Sequence, residues 1–138
     1  MLALEVVYGG NKSLHVPLIS SPQFTIGRYD SNDFSILSTH VSSYSHCVLS
    51  NTTQDTVELR AMARNCWTDD SDGRWKDVKK GTKVGLDVGQ RFRLIRSAKH
   101  DIPSPDIAST VTFRLLKTPL SLLPPACMRF GLAQFQRL

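Results

Sequence analysis

Residues Phe24 to His46 read FTIGRYDSNDFSILSTHVSSYSH, and the reading of this stretch decides the fold. It opens as a strand, breaks at Gly27-Arg28, passes through a polar loop and offers a hydroxyl-rich turn that ends at His46. An arginine at one strand end and serines at the next fill no core. They suit a β scaffold whose loops carry polar groups.

Working outward, short β-rich runs recur between turn signals: LALEVVYG, LHVPLIS, FTIGR, FSIL, SHCVLSN, DTVELRAM, RNCWTDD, GRWKDV, QRFRLIRS and STVTFRLLK. Strands at this spacing, with no helical stretch between them, predict an all-β sandwich with mostly antiparallel pairing. GGNK and DDSDG read as hairpin-type turns, and LDVGQRFRL as a turn with Gly89 before the next strand. Alternation places Val57, Leu59, Phe92 and Leu94 on a core face. Glu58, Arg60, Arg91 and Arg93 then point outward, where solvated charges are expected.

At 138 residues the chain fits one domain of ordinary size. Its hydrophobic share of 41% and charged share of 21% exclude a disordered or fibrous design. A net charge of +5 favours anionic partners in general. The basic-leaning run RWKDVKKGTK is too interrupted to mark a duplex-binding stripe, so nucleic acid is a minor alternative.

Cys47, Cys66 and Cys127 are an odd count without CxxC spacing, which argues against a disulfide framework or a zinc site and for a reducing, intracellular compartment. The start, MLALEVVYGG, has Glu5 in its apolar run and no basic n-region, so it does not read as a signal peptide. After Lys117 the segment 118–138, TPLSLLPPACMRFGLAQFQRL, reads as a Pro-containing apolar tail. It is expected to dock on the 1–117 sandwich as a short helix or extended segment, or to mediate self-association.

No catalytic motif appears. His46 adjoins Cys47, but strand neighbours point to opposite faces, so the two do not form a nucleophile and base. Asp69, Asp70 and Asp72 sit in a Gly-containing turn, where aspartate serves local hydrogen bonding more often than calcium. No enzyme activity, metal or cofactor is expected.

Arg28 follows a glycine at a strand end, so its guanidinium is expected at the loop edge, where its N–H fork matches phosphate oxygens. Standing alone it would more often form a structural salt bridge to a loop aspartate such as Asp30 or Asp33. It does not stand alone. Gly27-Arg28, then Ser43-Tyr44-Ser45-His46, then Asn65, then Gly89-Gln90 before Phe92 form an ordered set that resembles the forkhead-associated (FHA) domain over residues 3 to 117.

The resemblance implies a sandwich of about eleven strands whose loops at one end bind phosphothreonine in a partner protein. Arg28 and Ser43 would hold the phosphate and Asn65 the peptide backbone, with Ser42, Tyr44, Ser45 and Arg64 as secondary contacts. Gly27 and His46 would be structural parts of the binding loop. It also implies signalling, DNA-damage or cell-cycle roles and a nuclear location.

Four residues depart from the family pattern. Tyr44 and Ser45 stand where a basic or amide side chain is usual, Arg64 where a hydroxyl residue precedes the asparagine, and Cys66 where glycine often follows it. The alternative reading is therefore an FHA fold kept as a structural or assembly module with a degenerate phosphate site.

Overall fold

A computed structural model of the chain describes residues 2–8, 12–18, 23–38, 41–70, 72–94 and 111–117, with the backbone of 130–131. These residues form two six-stranded sheets. The first runs in the order β2 (Lys12–Pro17), β1 (Leu2–Tyr8), β11 (Thr112–Lys117), β10 (Arg91–Arg93), β7 (Trp67–Asp69) and β8 (Trp75–Asp77). The second runs β12 (Phe130–Gly131), β4 (Phe34–Ser35), β3 (Gln23–Gly27), β5 (Cys47–Ser50), β6 (Thr56–Ala61) and β9 (Lys83–Asp87). Pairing is antiparallel except that β4 lies parallel to both β3 and β12.

The all-β sandwich follows from period-2 alternation. Val57, Leu59, Phe92 and Leu94 are all buried, as the alternation requires. Phe34 of the second sheet meets Phe113 of the first edge-on at 5.8 Å, and Phe92 stacks on Phe113 at 4.7 Å. All three rings are fully buried, each worth on the order of 2–3 kcal/mol of transfer free energy, so they join the two sheets.

Each of the ten runs read from the sequence holds one of these strands, and β9 and β12 are additional. In β9 the central Gly85 interrupts the alternation and Leu86 alone is fully buried, so no strand signal stands out. Phe130–Gly131 joins the second sheet beside β4. What is otherwise expected of the 118–138 tail falls outside the described residues.

One expectation needs correction: Arg91 and Arg93 are not plain solvated positions. Asp69 accepts hydrogen bonds from the Arg91 backbone N–H at 2.7 Å and from its Nε at 2.8 Å. Both guanidinium groups lie over the Trp75 ring, 5.0 and 5.6 Å from its centroid. Alternation gives the face of the sheet correctly; the neighbours on that face belong to β7 and β8.

Register brings three loops to one end of the second sheet. Ile26 pairs with Cys47 and Cys47 with Ala61, so the end of β3, the start of β5 and the end of β6 lie side by side. The Ala61 N–H donates to the Thr82 carbonyl at 3.0 Å, which adds the turn before β9 to the same edge.

Candidate functional site

Gly27 closes β3 where two other segments crowd it. A Cβ at this position would lie 2.7 Å from the Tyr44 carbonyl oxygen and 2.7 Å from Asn32 Nδ2, so the approach requires glycine. Beyond it the ladder continues. The Arg28 N–H donates to the Ser42 carbonyl at 2.9 Å, the Tyr29 N–H to the Ser43 carbonyl at 3.0 Å, and the His46 N–H to the Ile26 carbonyl at 2.7 Å. Asn32, buried beneath the loop, donates its amide to the Tyr29 carbonyl at 2.8 Å.

This pairing sets the Arg28 guanidinium against Ser43, and Arg28 Nη2 donates to Ser43 Oγ. Arg28 also lies 5.6 Å from the centre of the Tyr29 ring, and Tyr29 meets the exposed Tyr44 edge-on at 5.5 Å. Among the described residues no carboxylate pairs with Arg28. Asp33, one salt-bridge partner the sequence offers, instead accepts from the Thr25 N–H at 2.9 Å and the Thr25 hydroxyl at 3.2 Å.

The N–H groups of Ser43, Tyr44 and Ser45 donate to no acceptor among the described residues. A guanidinium, a hydroxyl and three successive backbone N–H groups thus belong to adjoining loop segments, the N–H groups having no acceptor among the described residues. Such a cluster is suited to a multi-oxygen anion.

His46 ties this loop to the next. It is 2% exposed; its Nδ1 accepts from the Ser42 N–H at 3.0 Å and its Nε2 lies 3.1 Å from the Asn65 carbonyl. Because Nδ1 faces a donor, the proton sits on Nε2, which donates to Asn65. Burial holds the imidazole below its ordinary value of 6.5, opposed by backbone hydrogen bonds with Asn65, Leu94 and Arg64. The neutral ring is the form that fits.

Asn65 adopts a left-handed backbone, φ 67°, which asparagine tolerates better than most side chains. The strained position therefore falls on Asn65 rather than on Cys66. Cys66 enters the core beside Cys47, both wholly buried. Burial pushes the Cys47 thiol well up, and the adjacent Cys66 thiol adds to the rise, the opposite of what activates a nucleophile.

The aspartate turn serves local structure. Asp70 Oδ1 accepts from the N–H groups of Asp72 and Arg74, and Asp69 is committed to Arg91. Among the described residues no group of three metal-ligating side chains gathers, and no helix is long and apolar enough to cross a membrane.

The structure brings Arg28, Ser42, Ser43, Tyr44, Ser45 and His46 together, with Asn65 joined through His46. Arg64 is exposed and, with Asn65, Trp67, Asp77, Lys79 and Lys80, lines a groove of about 360 Å³ that Arg28 does not line. Sequence reasoning missed Asn32, a buried loop amide, and Lys79 and Lys80, whose position depends on how their turn folds back.

No protein-family model and no curated protein matches the chain. Solved structures do. The MEK1 FHA domain superposes with TM-score 0.61 at 17% identity, covering 85% of this chain and 89% of that one. The N-terminal FHA domain of Rad53p from S. cerevisiae, in complex with a phosphothreonine peptide, gives 0.60 at 15% identity over 84% and 94%. The FHA domain of human APLF, in complex with an XRCC1 bisphospho peptide, gives 0.58 at 18% identity over 84% and 99%. At these identities the likeness establishes architecture, and by architecture the chain is an FHA-like β sandwich.

Proposed function

We propose that this chain is a phosphothreonine-peptide-binding module that recruits a phosphorylated partner through the loops at the β3, β5 and β6 ends. The observation that carries the reading is the Arg28 guanidinium hydrogen-bonded to Ser43 beside three N–H groups that have no acceptor among the described residues. An anion with several oxygens satisfies all of these donors at once. Two structures with this fold hold phosphorylated peptides, which supports the same ligand class here.

In this reading Arg28 and Ser43 grip the phosphate, and the adjacent N–H groups complete the cradle. The Asn65 side chain, exposed on a backbone fixed by His46, hydrogen-bonds the peptide main chain. Tyr29 and Tyr44 flank the phosphate as an aromatic edge, with Ser42 and Ser45 shaping the loop between. No reaction is assigned to the domain; recruitment downstream of a kinase is its contribution to a signalling assembly.

The test is calorimetric titration with a phosphothreonine peptide and its unphosphorylated twin. Affinity on the order of micromolar is expected for the phosphorylated form only. Arg28→Ala should weaken binding at least about tenfold, the loss of one or more charge-assisted bonds. Equal affinity for both peptides, or no effect of Arg28→Ala, would refute the reading.

A further inference from the structure

The run Lys79-Lys80-Gly81-Thr82 forms a tight turn in which the Thr82 N–H donates to the Lys79 carbonyl at 3.0 Å and Gly81 takes φ 87°. This is a type II arrangement, with glycine at the third position and Lys80 at the outward corner. The turn is pinned to both ends of the loop that carries Asn65. The Gly81 N–H donates to the Ala61 carbonyl at 2.8 Å, and the Val78 N–H to the Cys66 carbonyl at 2.7 Å. The backbones of Lys79 and Lys80 are therefore held at a fixed place beside Arg64 and Asn65.

Arg64, Lys79 and Lys80 line one groove with Asn65, and Asp77 is the single carboxylate among its lining residues. Among the described residues none of these three cations forms an ion pair, whereas Lys76, Lys83, Arg91 and Lys117 each have a carboxylate partner. Three unpaired cations gathered in a groove repel one another, and the arrangement is relieved by an anion. Asn65 belongs both to this groove and, through His46, to the Arg28–Ser43 cradle. A ligand crossing Asn65 would meet both.

We propose that the Arg64–Lys79–Lys80 groove is a second anion subsite, which takes a phosphorylated or carboxylate side chain flanking the phosphothreonine of the same peptide. This rests on the phosphopeptide reading above and extends it to a ligand class: doubly phosphorylated or acidic phosphothreonine segments. Glutamate would engage the groove with one charge, and phosphoserine with nearly two.

The experiment titrates the full chain with a phosphothreonine peptide in which alanine, glutamate or phosphoserine occupies each neighbouring position in turn. At a position that reaches the groove, phosphoserine should raise affinity about tenfold over alanine, with glutamate between, and added salt should shrink the gain. The Lys79→Ala/Lys80→Ala double variant changes only exposed side chains. It should erase the gain while leaving affinity for the alanine peptide within about twofold.

If the double variant retains the parent's preference for phosphoserine, or if no position shows a gain, the second subsite is refuted while the phosphopeptide reading stands. If no phosphothreonine peptide binds at all, both fall. If a random single-stranded oligonucleotide binds more tightly than the doubly phosphorylated peptide and is lost in the same variant, the groove is a nucleic-acid surface and the inference is overturned.

Discussion

His46 hydrogen-bonds the carbonyl of Asn65 at 3.1 Å, from nineteen residues away in the chain, and so fixes the one backbone position in this loop with a positive φ. The other ring nitrogen accepts from Ser42, the residue before the proposed phosphate-binding serine. The Met62 N–H also donates to the His46 carbonyl at 3.0 Å, so the backbone and the buried ring of one residue together hold the two loops at the paired ends of β5 and β6. Protonating Nδ1 would turn its accepted bond into a clash of two donors.

A pH dependence follows from this arrangement. Burial lowers the folded-state value below the ordinary 6.5, so as pH falls through that region the unfolded chain takes up a proton first. The stability contributed by neutral His46 is complete above about 6.5 and is lost progressively below it, down to the folded-state value. Urea unfolding between roughly pH 7.5 and 5 should show a falling free energy. His46→Gln should be less stable at neutral pH by about 1–3 kcal/mol and should flatten that slope.

Gly27→Ala is expected to damage the site more than its size suggests. The added methyl meets the Tyr44 backbone carbonyl and the buried Asn32 amide, which is itself hydrogen-bonded to the Tyr29 carbonyl, and overpacking of this kind costs about 1–3 kcal/mol. Because the Tyr44 carbonyl must move, the Ser43–Ser45 N–H groups move with it. Chemical denaturation should show the stability loss, and titration a drop in phosphopeptide affinity beyond that of a global destabilisation. An unchanged affinity would mean that the approach of the two loops is not what shapes the cradle.

Asp69→Ala should be the costliest change on the outer face of the first sheet. It strips the acceptor from the Arg91 backbone N–H and from its guanidinium, leaving a partly buried cation over Trp75 without a counter-charge. A loss of about 2–4 kcal/mol is expected in thermal or urea unfolding. Phosphopeptide affinity should be unaffected, because neither residue touches the Arg28–Ser43 cradle.

What was legible in the sequence is what alternation and order encode. Val57, Leu59, Phe92 and Leu94 announce buried faces, and Gly27-Arg28, Ser43 to His46 and Asn65 come in an order that specifies the sandwich and the loop end. Cross-strand neighbours were not legible. Arg91 and Arg93 read as solvated because nothing local reveals that Asp69 and Trp75 lie beside them. Asn32 reads as one more loop polar residue, and its burial beside Gly27 places its amide oxygen against the Ser45 hydroxyl, thirteen residues downstream. Lys79 and Lys80 read as part of a basic hairpin, and become a groove wall only because their turn hydrogen-bonds to Ala61.

Asn65 offers the means to separate backbone from side-chain contributions. Its φ of 67° is open to glycine at little cost and strains alanine by on the order of 1 kcal/mol. The His46 bond goes to the Asn65 carbonyl, which every substitution retains. Asn65→Gly should therefore stay within about 0.5 kcal/mol of the parent stability, and Asn65→Ala should fall about 1 kcal/mol below it. If the side chain binds the peptide main chain as proposed, both variants should lose phosphopeptide affinity by about tenfold. Were Asn65→Gly to bind like the parent, the role of Asn65 would be the conformation of its backbone alone.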